Sequence, residues 1–276
     1  MTIGSNLGRA IDSGDDCGLG CTYGQADLPA ASLAPGGVAS PVNGTVVRWR
    51  IKSGNEVSPV ALRVIRPPYL GAGTSATVTP TLNAVSTFLA QLPIQIGDRI
   101  GIDCCDNAGG EYLVSNAGVS DYWEPPLADG SATPPTNPPD PRTRREIAVN
   151  ADIEPTSTFT LEKRKPKKKA RVKLVATLPN PGTFEAGDRL AVGIGHVAAA
   201  KTKKKRKLLK RAAAPVGAAG QIPLVLKPTK TAIKLLKRKA EKKGKKNVRI
   251  KAKIRIAFTP TFGSPSVQVV KVKLKR

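Results

Sequence analysis

The stretch "VRIKAKIRIAF", residues 248–258, alternates with a period of two. Val248, Ile250, Ala252, Ile254, Ile256 and Phe258 share one side, and Arg249, Lys251, Lys253 and Arg255 share the other. Successive side chains of a β-strand point to opposite faces, so this segment reads as a strand with an apolar face in a core and a cationic face in water. The C-terminal "VQVVKVKLKR", 267–276, repeats the device, with Val270, Val272 and Leu274 against Lys271, Lys273 and Lys275. Val267 and Val269 stand on the opposite parity, which predicts a bulge near residue 269. Between the two strands "TPTFGSP", 259–265, has the composition of a hairpin loop.

The pattern extends back through the second half. "TFTLEKRKPKKK" opens it, and "ARVKLVATL", 170–178, sets Val172, Leu174, Ala176 and Leu178 against Arg171 and Lys173. "KTKKKRKLLKR", 201–211, is mostly Lys and Arg. It reads as a turn leading into the strand "QIPLVLK", with Leu208 and Leu209 touching the core. One helix is predicted, over about 229–243: Pro228 precedes it, Ile233, Leu236 and Ala240 share a face, and Gly244 suits its C-terminal cap. It would cover one end of a sandwich.

The first half is Pro- and Gly-rich. "TVVRWRIK" alternates Val47, Trp49 and Ile51 with Arg48 and Arg50. "VALRVIRP", "EYLVS" and "REIAVNADIE" are further strands, and "VSTFLAQLPIQIGDRIGIDCC" holds two or three, with a turn at Gly97-Asp98. "PPLADGSATPPTNPPDP", 125–141, is a long loop without a strand pattern. Short strands at regular spacing give the fold class: all-β, two sandwich domains, jelly-roll-like over 1–153 and immunoglobulin-like with one short helix over 154–276.

Charge separates the two parts. Residues 1–150 carry 10 Lys and Arg against 14 Asp and Glu, a net −4; residues 151–276 carry 35 against six, a net +29. The first part has one lysine, Lys52, and the second has 26. All four cysteines, Cys17, Cys21, Cys104 and Cys105, lie in the first part. Four cysteines allow three pairings. Joining Cys17 and Cys21 to Cys104 and Cys105 would staple an N-terminal loop to a core strand; Cys17–Cys21 with a vicinal 104–105 bridge is the other arrangement. An even count in one module favours disulfides and an oxidising compartment. Zinc fits poorly, because the lone histidine, His196, lies in the other half and adjacent cysteines do not easily share one tetrahedral ion.

The segments "TIGSNL", "SGDDCGLGCTYGQ", "ASPVNGTVVRWRIKSG", "LPIQIGDRIGIDCC", "YWEPPLADG" and "NADIEP" resemble a recurrent N-terminal module of secreted proteins of soil actinobacteria. The tail from "LVATLPNPGTFEAGDRL" to "VQVVKVKLKR" resembles the Lys-rich, immunoglobulin-like sandwich that often follows in them. The resemblance implies secretion and a cleaved signal peptide ahead of "TIGSNL", so the native start is expected upstream of Met1. It implies no catalytic residues.

The residues themselves supply little for catalysis, and no enzyme is expected. His196 shares parity with Leu190, Val192 and Ile194 and lacks partners for a triad. "GTFEAGDRLAVGIG" has neither phosphate-loop nor dinucleotide spacing. The clusters Asp12, Asp15, Asp16 and Asp98, Asp103, Asp106 lack the spacing of a calcium loop and read as loop and turn acids. No cofactor or metal is expected. Trp49, Tyr112, Tyr122 and Trp123 are the candidates for stacking on a sugar, Trp123 the foremost, with a plug over the sandwich as the plainer role. No apolar run reaches the roughly 18 residues of a spanning helix.

Three function classes remain. The first is a secreted, non-enzymatic surface or matrix protein whose basic domain binds anionic cell-envelope polymers. Its expected contacts are Lys203, Lys204, Lys205, Arg206 and Lys207 in the Lys-rich turn, and Arg249, Lys251, Lys253, Arg255, Lys271, Lys273 and Lys275 on the two strands. The second is non-specific nucleic-acid binding, for which the charge is ample. It ranks lower because the cations are mostly lysine and the basic half has no Tyr or Trp. The third is a carbohydrate-binding module in the first domain.

Overall fold

The structure, a computed structural model of the 276-residue chain, describes residues 1–15, 19–106, 109–115, 118–136, 145–164, 170–188, 207–245 and 247–275. The fold is all-β and sandwich-type, with one α-helix among the described residues. The chain divides into two compact units, Met1–Pro155 and Thr156–Arg276. The first holds β1 (Thr2–Gly4), β2 (Ser13–Asp15), β3 (Leu19–Asp27), β4 (Gly44–Lys52), β5 (Ala61–Arg66), β6 (Leu70–Thr74), β7 (Val85–Ile94), β8 (Arg99–Asp106), β9 (Gly110–Ser115), β10 (Val119–Trp123), β11 (Arg145–Ile147) and β12 (Val149–Pro155). The second holds β13 (Thr160–Lys163), β14 (Val172–Leu178), β15 (Gly182–Gly187), β16 (Ala212–Val216), β17 (Gly220–Leu226), helix α1 (Lys230–Lys243), β18 (Arg249–Pro260) and β19 (Ser266–Lys275).

In the first unit two antiparallel sheets, β1-β12-β4-β7 and β10-β3-β8-β5-β6, enclose one core; a small third sheet, β11-β9-β2, is an addition to the expected sandwich. The core contains Ile3, Tyr23, Trp49, Ile51, Leu62, Ile100, Ile102 and Tyr112, all essentially without solvent exposure. In β4 the register shifts between Val46 and Arg48, so Val46 and not Val47 joins Trp49 and Ile51 in the core. A bulge adds one residue and reverses the facing of everything before it, which strict alternation does not anticipate.

β5 is buried along both faces. Its inner side chains enter the main core, while Ile65 packs with Trp123 and Leu127 on the other side. The described part of the Pro-rich loop makes that second cover: Trp123 Nε1 donates to the Thr133 carbonyl at 2.8 Å and Gly71 N donates to Ser131 O at 2.9 Å. Trp123 is therefore a plug and not an exposed stacking platform, at 1% exposure. Tyr112, Tyr122 and Trp49 are buried as well. Gly24 and Gly101 face each other on β3 and β8. A Cβ on Gly101 would lie 2.0 Å from the Tyr23 carbonyl oxygen, so only glycine fits there. β7 ends its sheet, and its ten residues include no charge; Leu89, 85% exposed, stands on it.

The second unit is a sandwich of three plus four strands, β13-β14-β17 facing β16-β15-β18-β19. Among the described strands, β16 lies in the sheet of β15, β18 and β19 and not beside β14 and β17. Between the sheets sit Val172, Leu174, Ala176 and Leu178 of β14 and Ala252, Ile254, Ile256 and Phe258 of β18, the alternating positions of the sequence. β18 and β19 pair without a shift from Arg249↔Lys275 to Phe258↔Ser266. The expected bulge near 269 is absent; the ladder runs straight, and Val269 is 61% exposed on the cationic face.

Helix α1 starts at Thr229, whose hydroxyl accepts from Ala232 N at 3.2 Å, and stops at Gly244 in the left-handed region (φ 58°). It buries Ala232, Leu236 and Ala240 against the core. Ile233 is 44% exposed, so the buried stripe includes Ala232 in place of the expected Ile233. Leu209 is fully buried and Leu208 half-buried; both backbone amides donate to the Asp188 carboxylate. Residues 201–206 of the Lys-rich turn lie outside the described residues.

Candidate functional site

The cations of the first unit are almost all arginine, and the described ones are engaged. Arg63, 5% exposed, donates to both Asp103 and Asp129. Arg66 forks onto the buried Asp98 with two bonds of 3.0 Å, Arg99 reaches Asp121 at 2.8 Å, and Arg48 and Arg50 converge on Asp152. The planar guanidinium presents a fixed fork that suits such bidentate pairing. Burial works against ionisation of Asp152, but hydrogen bonds from Arg50, Thr2 and Arg48 outweigh it and bring the carboxyl down to about 2. Asp98 and Asp103 are thus ion-pair acids of the core. Asp12 accepts from Ser115 N at 2.7 Å; Asp16 and the side chains of Asp15 and Asp106 lie outside the described residues. Among the described residues no group of three or more His, Cys, Asp and Glu is arranged to hold a metal.

Cys21 and Cys104 are register partners across β3 and β8, both buried, and no described cysteine is free. Cys17 and the side chain of Cys105 lie outside the described residues. His196 does too.

The cations of the second unit are mostly lysine, and they are differently placed. The unit has 35 Lys and Arg against four acids. Three of these acids are engaged: Glu162 pairs with Arg164 at 3.0 Å, Glu185 with Arg211, and Asp188 binds the Leu208 and Leu209 amides; the fourth, Glu241, is exposed on α1. The two longest strands carry the densest charge. Lys251 stands opposite Lys273, Lys253 opposite Lys271, and Arg249 opposite Lys275, with Arg255 continuing the row. All of them are exposed except Lys275, which is half-exposed. No ion pair among the described residues involves Arg249, Lys251, Lys253, Lys271, Lys273 or Lys275. Directly opposed residues of an antiparallel pair have Cβ atoms about 5 Å apart, so like charges there cost stability. The unit tolerates this because the inward halves of the same strands fill its core.

The ladder continues into a cleft of about 440 Å³. Lys163, Arg164 and Lys173 from one sheet and Arg249, Lys271 and Lys273 from the other rim it, over Val172, Leu174 and Val272. A second hollow of about 430 Å³ shares Arg249 and Lys273 and adds Lys239 and Lys251. Of the expected contacts, the structure brings Arg249, Lys251, Lys253, Arg255, Lys271, Lys273 and Lys275 onto one hairpin. Lys207 is exposed near Leu208, and Lys203, Lys204, Lys205 and Arg206 lie outside the described residues. The cleft residues Lys163, Arg164, Lys173 and Lys239 escaped the sequence reading. Parity reports the face of a strand, not which strands of opposite sheets meet at an edge.

No protein-family model matches the chain, and a search of curated proteins gives no match. No helix among the described residues is long and apolar enough to cross a membrane.

Proposed function

We propose that this is a secreted, non-enzymatic surface or matrix protein, similar to the two-domain proteins of soil actinobacteria, whose Thr156–Arg276 unit binds anionic polymers of the cell envelope. The observation that carries the reading is the set of three facing cation pairs on β18 and β19, Arg249 with Lys275, Lys251 with Lys273 and Lys253 with Lys271, none of which enters an ion pair among the described residues. A folded domain gains nothing in stability from three facing cation pairs, so the arrangement is explained by an anion that bridges them. The described arginines of the first unit, engaged internally, contribute scaffold and not binding.

Nucleic acid is disfavoured as the partner. Phe159, Phe184 and Phe258 are buried, and Phe262, 66% exposed, sits in the hairpin turn beyond the end of the ladder. A sugar-stacking site in the first unit has no exposed member among its four sequence candidates. The reading of an oxidising compartment is supported by Cys21 and Cys104, which are buried register partners on neighbouring strands and are not free thiols. We place the four cysteines in two disulfides; recovery of four free thiols by peptide mapping of secreted material overturns this.

The test of function is retention of the full chain on immobilised polyanion as salt is varied. Binding is expected at low salt, with affinity falling steeply and log-linearly as salt rises. Absence of retention at low salt refutes the reading, and a sequence-selective footprint on nucleic acid replaces it with the second.

A further inference from the structure

The cleft is built into the seam between the two sheets of the second unit. β19 ends one sheet and β13 ends the other. The edges are tied at two places: Gln268 Nε2 donates to the Phe159 carbonyl beside the start of β13, and Ala170 N donates to the Lys275 carbonyl at 3.0 Å. Those ties are seven residues apart on β19, roughly 24 Å at strand rise. Between them the seam is open, and Lys271, Val272 and Lys273 line the opening. The cleft is therefore fixed at both ends by the fold.

Its chemistry differs from that of the flat ladder. Six cations converge on one concave volume, and the single acid beside them, Glu162, is in an exposed pair with Arg164, a contact of little energetic weight. Four of the six are lysines and two are arginines, and both ammonium and guanidinium groups bind phosphate oxygens well, so the cleft favours a ligand that packs many negative charges into a small volume. About 440 Å³ is the size of a small-ligand site, large enough for several linked phosphates and too small for a polymer coil. Val172, Leu174 and Val272 supply an apolar floor.

We propose that this cleft is a stoichiometric site for a compact oligophosphate, two or more linked phosphate groups, taken from a phosphate-containing polymer or its end. The inference rests on the polyanion-binding reading for its biological ligand and not for its geometry. It predicts two binding modes in one unit: a diffuse one on the ladder and a saturable one in the cleft.

The probe is inorganic tripolyphosphate, titrated by calorimetry into the full chain at moderate salt. One equivalent is expected to bind, with citrate at least about tenfold weaker because it carries fewer negative charges into the cleft. Lys163→Gln with Lys173→Gln is expected to weaken tripolyphosphate about tenfold or more, whereas Lys234→Gln with Lys237→Gln, which removes equal charge from the exposed face of α1, changes it less than about twofold. Circular dichroism of each variant checks the fold. Binding of several equivalents, equal loss in both double variants, or citrate binding as tight as tripolyphosphate overturns the proposal. One-to-one tripolyphosphate binding with no retention on long polyanion keeps the cleft and sinks the polymer reading; retention without a one-to-one site does the reverse.

Discussion

Arg63 concentrates the residue-scale logic of the first unit. It is a buried charge held by Asp103 and by Asp129 of the Pro-rich loop. Arg63→Ala leaves both carboxylates without their cation, and breaking a buried pair in this way costs roughly 3–5 kcal/mol; a leftward shift of the urea unfolding curve by that amount is expected. Arg63→Lys is also expected to destabilise, because one ammonium does not reproduce the fork. Asp152 sets a pH dependence. Its folded-state value, about 2, lies below the usual aspartate range near 3.9, so its stabilisation is complete above about pH 5 and drains away as pH falls toward 2. The gap in thermal midpoint between wild type and Asp152→Asn is expected to be widest near neutrality and to close at about pH 2. The arginines behind these effects were visible as letters, but their partners were not: Asp103 and Asp129 are distant in sequence from Arg63, and nothing local joins them.

At the scale of elements, strand faces were readable wherever alternation is unbroken, as in β14, β18 and β19, because period two is the geometry of the strand itself. They misled where one residue breaks the count, as at Val47 in β4, or where parity was over-interpreted, as at Val269. The ends of α1 were readable because capping is local chemistry. Thr229→Ala removes the acceptor of the Ala232 amide, and Gly244→Ala forces a side chain into φ 58°; each is expected to cost about 1 kcal/mol by denaturant unfolding. The β18–β19 ladder makes the opposite kind of prediction. Lys253→Glu places an acid opposite Lys271, turning a repulsive pair into an attractive one. The second unit is expected to melt at a higher temperature at low salt, by up to about 1 kcal/mol of stability, while polyanion retention weakens. A variant that loses both stability and retention would show that Lys253 is needed for the fold.

Over the whole molecule, the split between arginine and lysine marks a division of labour. One unit uses its cations to close its own core contacts; the other keeps them on the outside. That division was legible in the counts alone, with one lysine in the first 150 residues and 26 afterwards. The cleft was not legible, since it arises where β13, β14 and β19 meet from three separate places in the chain. Polyanion is expected to raise the melting temperature of the second unit, since a ligand that binds only the folded form stabilises it by mass action.

The uncharged edge strand β7 has a colloidal consequence. Exposed strand edges invite pairing with other copies, and natural edges are commonly protected by lysine, as β19 is and β7 is not. At low ionic strength the net charge of +25 keeps copies apart. Salt shortens the reach of that repulsion to about 10 Å or less and leaves hydrogen bonding along β7 untouched. Light scattering is therefore expected to rise with salt, in the same range that releases bound polymer. Leu89→Lys should keep the solution clear.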